Sequence, residues 1–184
     1  MKILLHPHPV LKKISAEIHE ADIEYASGII LEMITTMRLA GGIGLAAPQI
    51  GESIRAFVTG IDNMNTIINP EITEYVGDTY IQPEGCLSLP GLLVKVKRYP
   101  SIIASWMDIN GIKHVDKQIH GYAAKVFQHE YDHLDGMLTI DKYEGDIASS
   151  FMSNASNTDI LNAISRGEHV QRPVYQYVSI FDED

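Results

Sequence analysis

The chain has 184 residues, 45% of them hydrophobic and 21% charged, the proportions of one ordinary globular domain with its own core and too little chain for two. Its formal charge of −10 argues against a nucleic-acid surface as its main business, because attraction to phosphate needs a basic face. No apolar run reaches the roughly eighteen residues of a membrane span, the opening Met1-Lys2-Ile3-Leu4-Leu5-His6-Pro7 is too short in apolar residues for a signal peptide, and one cysteine forbids an internal disulfide and suits a reducing compartment; a cytoplasmic protein is expected.

Residues 1–20 read as an extended start around Pro7 and Pro9, where no helix can form. His6 and His8 in that stretch are expected to face solvent and to ligate nothing. Across residues 22–40 the apolar positions Ile23, Ala26, Ile30, Met33, Ile34 and Met37 recur at helical spacing, with Asp22 as N-cap and Gly41-Gly42 as the stop. That stripe reads as core. Short β-branched runs at 54–59, 66–69, 72–76, 92–96 and 102–107 read as strands. Asn110-Gly111 predicts a hairpin between 101–108 and 112–119, and Gly121 then opens a helix. From Asp141 onward eight acidic residues stand against three basic ones, with a helix expected at 159–165, a strand at 174–180 and a solvated end at Asp182-Glu183-Asp184. The whole reads as a single α+β domain over 1–184, short antiparallel strands around a central helix, with an acidic C-terminal tail diverging from about residue 143.

That central helix carries Gln128-His129-Glu130-Tyr131-Asp132-His133-Leu134-Asp135-Gly136. Residues four apart share a helix face, so His129 and His133 aim two imidazoles at one point with Glu130 beside them, the HExxH arrangement. Two neutral imidazoles can bind a divalent ion while the carboxylate takes a proton from the water that the ion acidifies. A third ligand is needed. In the long zinc-peptidase pattern it is a His six residues after the second, and Thr139 stands there, although Gly136 is in place. Glu144 is expected on the turn leaving the helix, and Glu168 lies in a polar stretch. The remaining candidate is Cys86, in Pro83-Glu84-Gly85-Cys86-Leu87-Ser88, since a thiolate binds zinc or ferrous ion strongly. A third stretch, Gly42-Ile43-Gly44-Leu45-Ala46-Ala47-Pro48-Gln49, is too small to fill a core and suggests backbone lying close to another segment or a ligand; Gln49 is its single polar side chain.

In this order the three motifs resemble the signatures of peptide deformylase, G-apolar-G-apolar-A-A-x-Q, E-G-C-apolar-S and HExDH, and the likeness runs from the N-terminus to about Lys142. Smaller departures are His8 where an Asp is usual and Lys125 where an Arg is common. The resemblance implies removal of the formyl group from the N-terminal methionine of new polypeptides. It implies one divalent metal, ferrous iron in the cell with zinc or nickel as substitutes, held by Cys86, His129 and His133. Glu130 is then the general base, and Gln49 and the backbone N–H of Leu87 donate to the oxygen that gains charge. Gly44 would admit the peptide backbone, Ile43, Val126 and Tyr122 would wall the methionine slot, and Arg98 matches the family's arginine near the substrate. The substrate brings the ribosome close, but the acidic tail lacks the basic helix by which some bacterial deformylases dock there. Two other readings stay open: a metallopeptidase cutting internal amides, and a non-catalytic relative with a structural metal.

Overall fold

The computed structural model describes residues 1–61, 64–149, 152 and 154–168. Its elements in chain order are α1 (Ile23–Leu39), β1 (Gly44–Ala46), β2 (Ala56–Thr59), β3 (Thr66–Val76), β4 (Tyr80–Glu84), β5 (Leu92–Arg98), β6 (Ser101–Met107), β7 (Lys113–His120), α2 (Gly121–Leu134), β8 (Tyr143–Ser149) and α3 (Asn157–Ser165). They form a five-stranded antiparallel sheet of order β1-β2-β3-β6-β7 and a three-stranded one of order β4-β5-β8. This is the α+β arrangement expected, and no helix among the described residues is long and apolar enough to cross a membrane.

Alternation along β2 and β3 decides which helix covers which face. Val58 and Ile68 point to one side and pack with Ile30, Met33 and Met37 of α1, while Phe57 and Ile67 point to the other and pack with Ala124, Phe127 and Leu134 of α2. A strand with both faces covered reads as a continuous apolar run, which is why all four residues of β2 are buried. Phe57 meets Phe127 edge to face, with ring centroids 5.0 Å apart. The smaller sheet packs Leu92, Val94, Val96 and Ile147 against Val10, Leu11 and the α3 residues Ile160, Ala163 and Ile164. Thus α2 has the large sheet behind it and the β4–β5 connection, with Cys86, in front.

Several boundaries move for local reasons. The runs at 66–69 and 72–76 are one strand, bent where Asn69 takes φ +47 before Pro70 and the register with β6 shifts; a bulge accommodates a residue without an N–H. β4 escaped the sequence reading because Pro83 interrupts it, and an edge strand tolerates that proline. β8 opens the acidic tail, so Glu144 lies not on a turn after the helix but in β8, paired with Lys97 at 3.2 Å. α3 begins two residues earlier than expected, capped by Ser156, whose hydroxyl accepts from the Asp159 N–H. Asp22 occupies the N-cap position of α1 without a side-chain cap bond. His8 is exposed as expected, but His6 is half-buried rather than in solvent. The strand expected at 174–180 lies outside the described residues.

Gly136 shows how tightly the N-terminal segment is held. Its φ is +71, and a Cβ there would lie 2.7 Å from the carbonyl of Lys12. The HExxH helix therefore ends against residues 12–13 through a glycine that no larger residue can replace without a shift.

Phe57→Ala removes a ring that is fully buried between the large sheet and α2. Urea unfolding should show a loss of about 3–5 kcal/mol; a loss under about 1 kcal/mol would mean that the site collapses readily or that the ring is not packed in this way.

Candidate metal centre

One donor atom from each of Cys86, His129 and His133 lies within 4.8 Å of the other two. The helix supplies the imidazoles at i and i+4, and the loop after β4 brings the sulfur to them, with Cys86 Sγ 3.4 Å from His133 Nε2. Among the described residues this is the one His, Cys, Asp and Glu group with such geometry. Thr139, where a third His would stand in the peptidase pattern, is buried in a turn after α2 and offers no imidazole.

One of the three donors, His129, is held from behind. His129 Nδ1 donates to Glu84 Oε2 at 2.9 Å, which fixes the tautomer and leaves Nε2 free to ligate. Glu84 in turn accepts two bonds from Arg98, Nε to Oε1 and Nη2 to Oε2, both 2.8 Å, and Arg98 Nη1 donates to Asp132 Oδ2 at 2.6 Å. Burial would raise the pKa of Glu84, but the hydrogen bonds from Arg98 and His129 outweigh it and hold the carboxyl down at about 2. Burial also disfavours charge on both imidazoles. On His133 it prevails and pulls the pKa well down, whereas on His129 the Cys86 sulfur, Glu84 and Glu130 overcome it and push the pKa well up. A soft thiolate with two imidazoles is a donor set that suits a divalent ion.

Glu130 follows His129 on the helix and is buried, with no hydrogen-bond partner for its Oε2 among the described residues. Burial pushes its pKa up to about 7, against the pull of His129. Gly44 faces it so closely that a Cβ there would run into the carboxylate, so the glycine loop is small because Glu130 occupies the space. Gln49 is fixed at both ends of its amide: Oε1 accepts from the Ala46 N–H at 2.8 Å, and Nε2 donates to Ser88 Oγ at 3.1 Å and lies 3.6 Å from Cys86 Sγ.

A cleft of about 180 Å³ opens over these groups, lined by residues of the glycine loop including Ile43, Gly44 and Gln49, by residues 83–87, and by Tyr122, Lys125, Val126, His129 and Glu130 of α2. At liquid density that is room for roughly six water molecules, a small end group and one side chain. Ile43, Gly44, Tyr122, Val126, Gln49 and Leu87 are therefore brought together with the ligands. Arg98 is not: it is 2% exposed and its guanidinium is taken up by Glu84 and Asp132, so the expected contact with substrate is replaced by a positioning role. Glu84, Asp132 and Ser88 were not given roles from sequence. Glu84 and Ser88 lie inside the motif around Cys86 and Asp132 inside HExDH, which was the available signal.

Comparison with known proteins agrees with this geometry. The family model described as polypeptide deformylase matches residues 1–147. The peptide deformylase of Thermotoga maritima is 42% identical over 142 residues, 77% of this chain and 85% of that protein. The crystallised Plasmodium falciparum peptide deformylase superposes with a TM-score of 0.76 at 32% identity, covering 94% of this chain and 99% of its own. The Acinetobacter baumannii peptide deformylase, solved with Met-Ala-Ser bound, gives 0.73 at 26% identity, covering 77% and 97%.

Arg98→Ala should cost about 3–5 kcal/mol in urea unfolding, because the buried Glu84 would lose its guanidinium, while Asp132 would keep Lys142. A neutral result would mean that water or another side chain replaces the guanidinium.

Proposed function

The chain belongs to the peptide deformylase family and is an enzyme, and from that premise we propose that it is a metal-dependent hydrolase. Its reaction removes the N-formyl group from the N-terminal methionine of newly synthesised polypeptides and releases formate. The observation that carries this reading is the buried Glu130 carboxylate, its Oε2 unpartnered among the described residues, set beside three converging metal donors at the base of a small cleft.

Cys86, His129 and His133 would hold one divalent ion, ferrous in the cell with zinc or nickel able to replace it. Such an ion, when bound, lowers the pKa of water and polarises the formyl oxygen. Glu130 takes the proton from the water whose oxygen bonds to the formyl carbon. As that carbon turns tetrahedral, the Gln49 amide and the Leu87 N–H donate to the formyl oxygen, where negative charge develops. Gln49 is suited to this because Ala46 and Ser88 already fix the plane of its amide, so little reorganisation is left to the reaction. Glu130 then delivers its proton to the nitrogen as the C–N bond breaks, leaving formate and a free amine. Gly44 lets the peptide backbone approach, and Ile43, Tyr122 and Val126 wall the slot for the methionine side chain. The Met-Ala-Ser bound to the Acinetobacter baumannii relative begins with methionine, as the product of this reaction would. We assign the work to the cytoplasm, on chains emerging from the ribosome.

Iron-loaded protein prepared without air should release formate from a formyl-Met peptide and no acetate from its acetyl counterpart. Glu130→Gln should keep the metal and lose about 10²–10⁴-fold in rate; undiminished formate release by a metal-loaded Glu130→Gln enzyme would remove Glu130 from the proton transfers. Titration with cobalt(II) should saturate at one ion per chain with a sulfur-to-metal absorption band, and Cys86→Ser should abolish that band. A band that survives the substitution would exclude Cys86 as a ligand.

A further inference from the structure

Of the cleft-lining residues, Lys125 is the one lysine or arginine. It stands one helical turn before His129, so its side chain leaves α2 on the face that carries the ligands, about 6 Å further along the axis. Its ammonium donates to the Pro83 carbonyl at 3.1 Å and lies 5.7 Å from the centroid of the Tyr122 ring. Among the described residues it is in no ion pair. The two carboxylates that share the cleft are otherwise engaged: Glu84 is bound by Arg98 and His129, and Glu130 lies buried against Gly44. An ammonium has three donors, so Lys125 has two left to offer. Burial draws its pKa down, a penalty that an arriving anion would relieve.

The distances match one position of the substrate, and this step rests on the deformylation reading above. With the formyl carbon at the metal donors, the Cα of the second residue lies about 6 Å away, the formamide plus one Cα step of about 3.8 Å. That is the spacing between His129 and Lys125 along α2. We infer that Lys125 is a specificity-determining residue for the second residue of the substrate: its ammonium accepts an acidic side chain there and disfavours a basic one. The chain as a whole carries a charge of −10, which repels acidic peptides, so the local cation is what lets them in.

The test compares kcat/KM for formyl-Met-Asp-Ala, formyl-Met-Ala-Ala and formyl-Met-Lys-Ala, all amidated at the C-terminus so that no end carboxylate competes. The iron-loaded enzyme and its Lys125→Arg, Lys125→Met and Lys125→Glu variants are each measured on all three. Because the readout is a ratio within one preparation, a variant that folds less well does not distort it. The wild-type enzyme should favour Asp over Lys by roughly three- to tenfold, a partly exposed charge pair; Lys125→Arg should keep the preference, Lys125→Met should erase it and Lys125→Glu should invert it. High ionic strength should narrow the ratio. Equal rates on the Asp and Lys peptides in the wild type, or a preference that survives Lys125→Met, would overturn the inference while the rate on the Ala peptide upholds deformylation. No formate from any of the three peptides by metal-loaded wild-type enzyme would overturn the deformylation reading and the inference with it.

Discussion

Glu84, Arg98 and His129 form a hydrogen-bonded row inside the protein, and a carboxylate only 4% exposed could not stay ionised there without its guanidinium. Arg98 comes from the last residue of β5, Glu84 from the last residue of β4, and His129 from the middle of α2. The antiparallel register of β4 and β5 places Tyr80 opposite Arg98 and Glu84 opposite Val94, so the long arginine side chain reaches along the sheet to the carboxylate. A fork of donors that matches a carboxylate in two places then fixes an orientation as well as a charge. His129 inherits that orientation through Nδ1. The small sheet is thereby joined to the helix by polar contacts, whereas the large sheet is joined to it by packing.

That division explains which parts of the molecule were legible in its sequence. α1 and the apolar side of α2 announce themselves because burial repeats with the period of the helix, and the hairpin at Asn110-Gly111 because Gly111 takes the φ of +77 that the turn demands. The converging Cys-His-His group was legible because two of its members are four residues apart on one helix and the third is the sole cysteine. Arg98 was misread because nothing local marks it as buried. It sits in a strand of alternating lysines, and only the pairing of β5 with β4 and the approach of α2 reveal its two carboxylate partners. β8 was hidden for a related reason: Glu144, Gly145 and Asp146 look like a solvated segment, and the strand exists because β5 presents an unpaired edge to it. His6 is drawn inward by a backbone bond from its N–H to the Ser88 carbonyl, a contact spanning the chain that no local pattern encodes.

The glycine loop shows how the site's needs set the sequence around it. In the proposed mechanism Glu130 is buried so that it holds a proton near neutral pH, and its Oε2, unpartnered among the described residues, is open to exchange one. Both requirements cost stability, since a buried polar atom without a partner is destabilising by about 1–3 kcal/mol. The fold offsets this one turn earlier on the same helix, where Phe127 meets Phe57 and Trp106. The residue facing Glu130 cannot then be larger than glycine, so Gly44 answers a steric demand of that carboxylate before any demand that a substrate would make.

It follows that the cleft has little freedom to be reshaped near its base. One wall is Gly44 against Glu130, another is Gln49 locked between Ala46 and Ser88, and the floor is the row of ligands braced by Glu84 and Arg98. A change at any of these alters a hydrogen bond or a contact on which the reacting geometry depends. The upper part of α2 is more open: Tyr122 is 53% exposed, and among the described residues Lys125 donates to a carbonyl and lies over a ring. In the reading proposed above, discrimination between substrates would vary one or two turns from the metal donors, away from the groups assigned to the chemistry. The physical separation between a rigid base and an adjustable mouth is about one turn of helix.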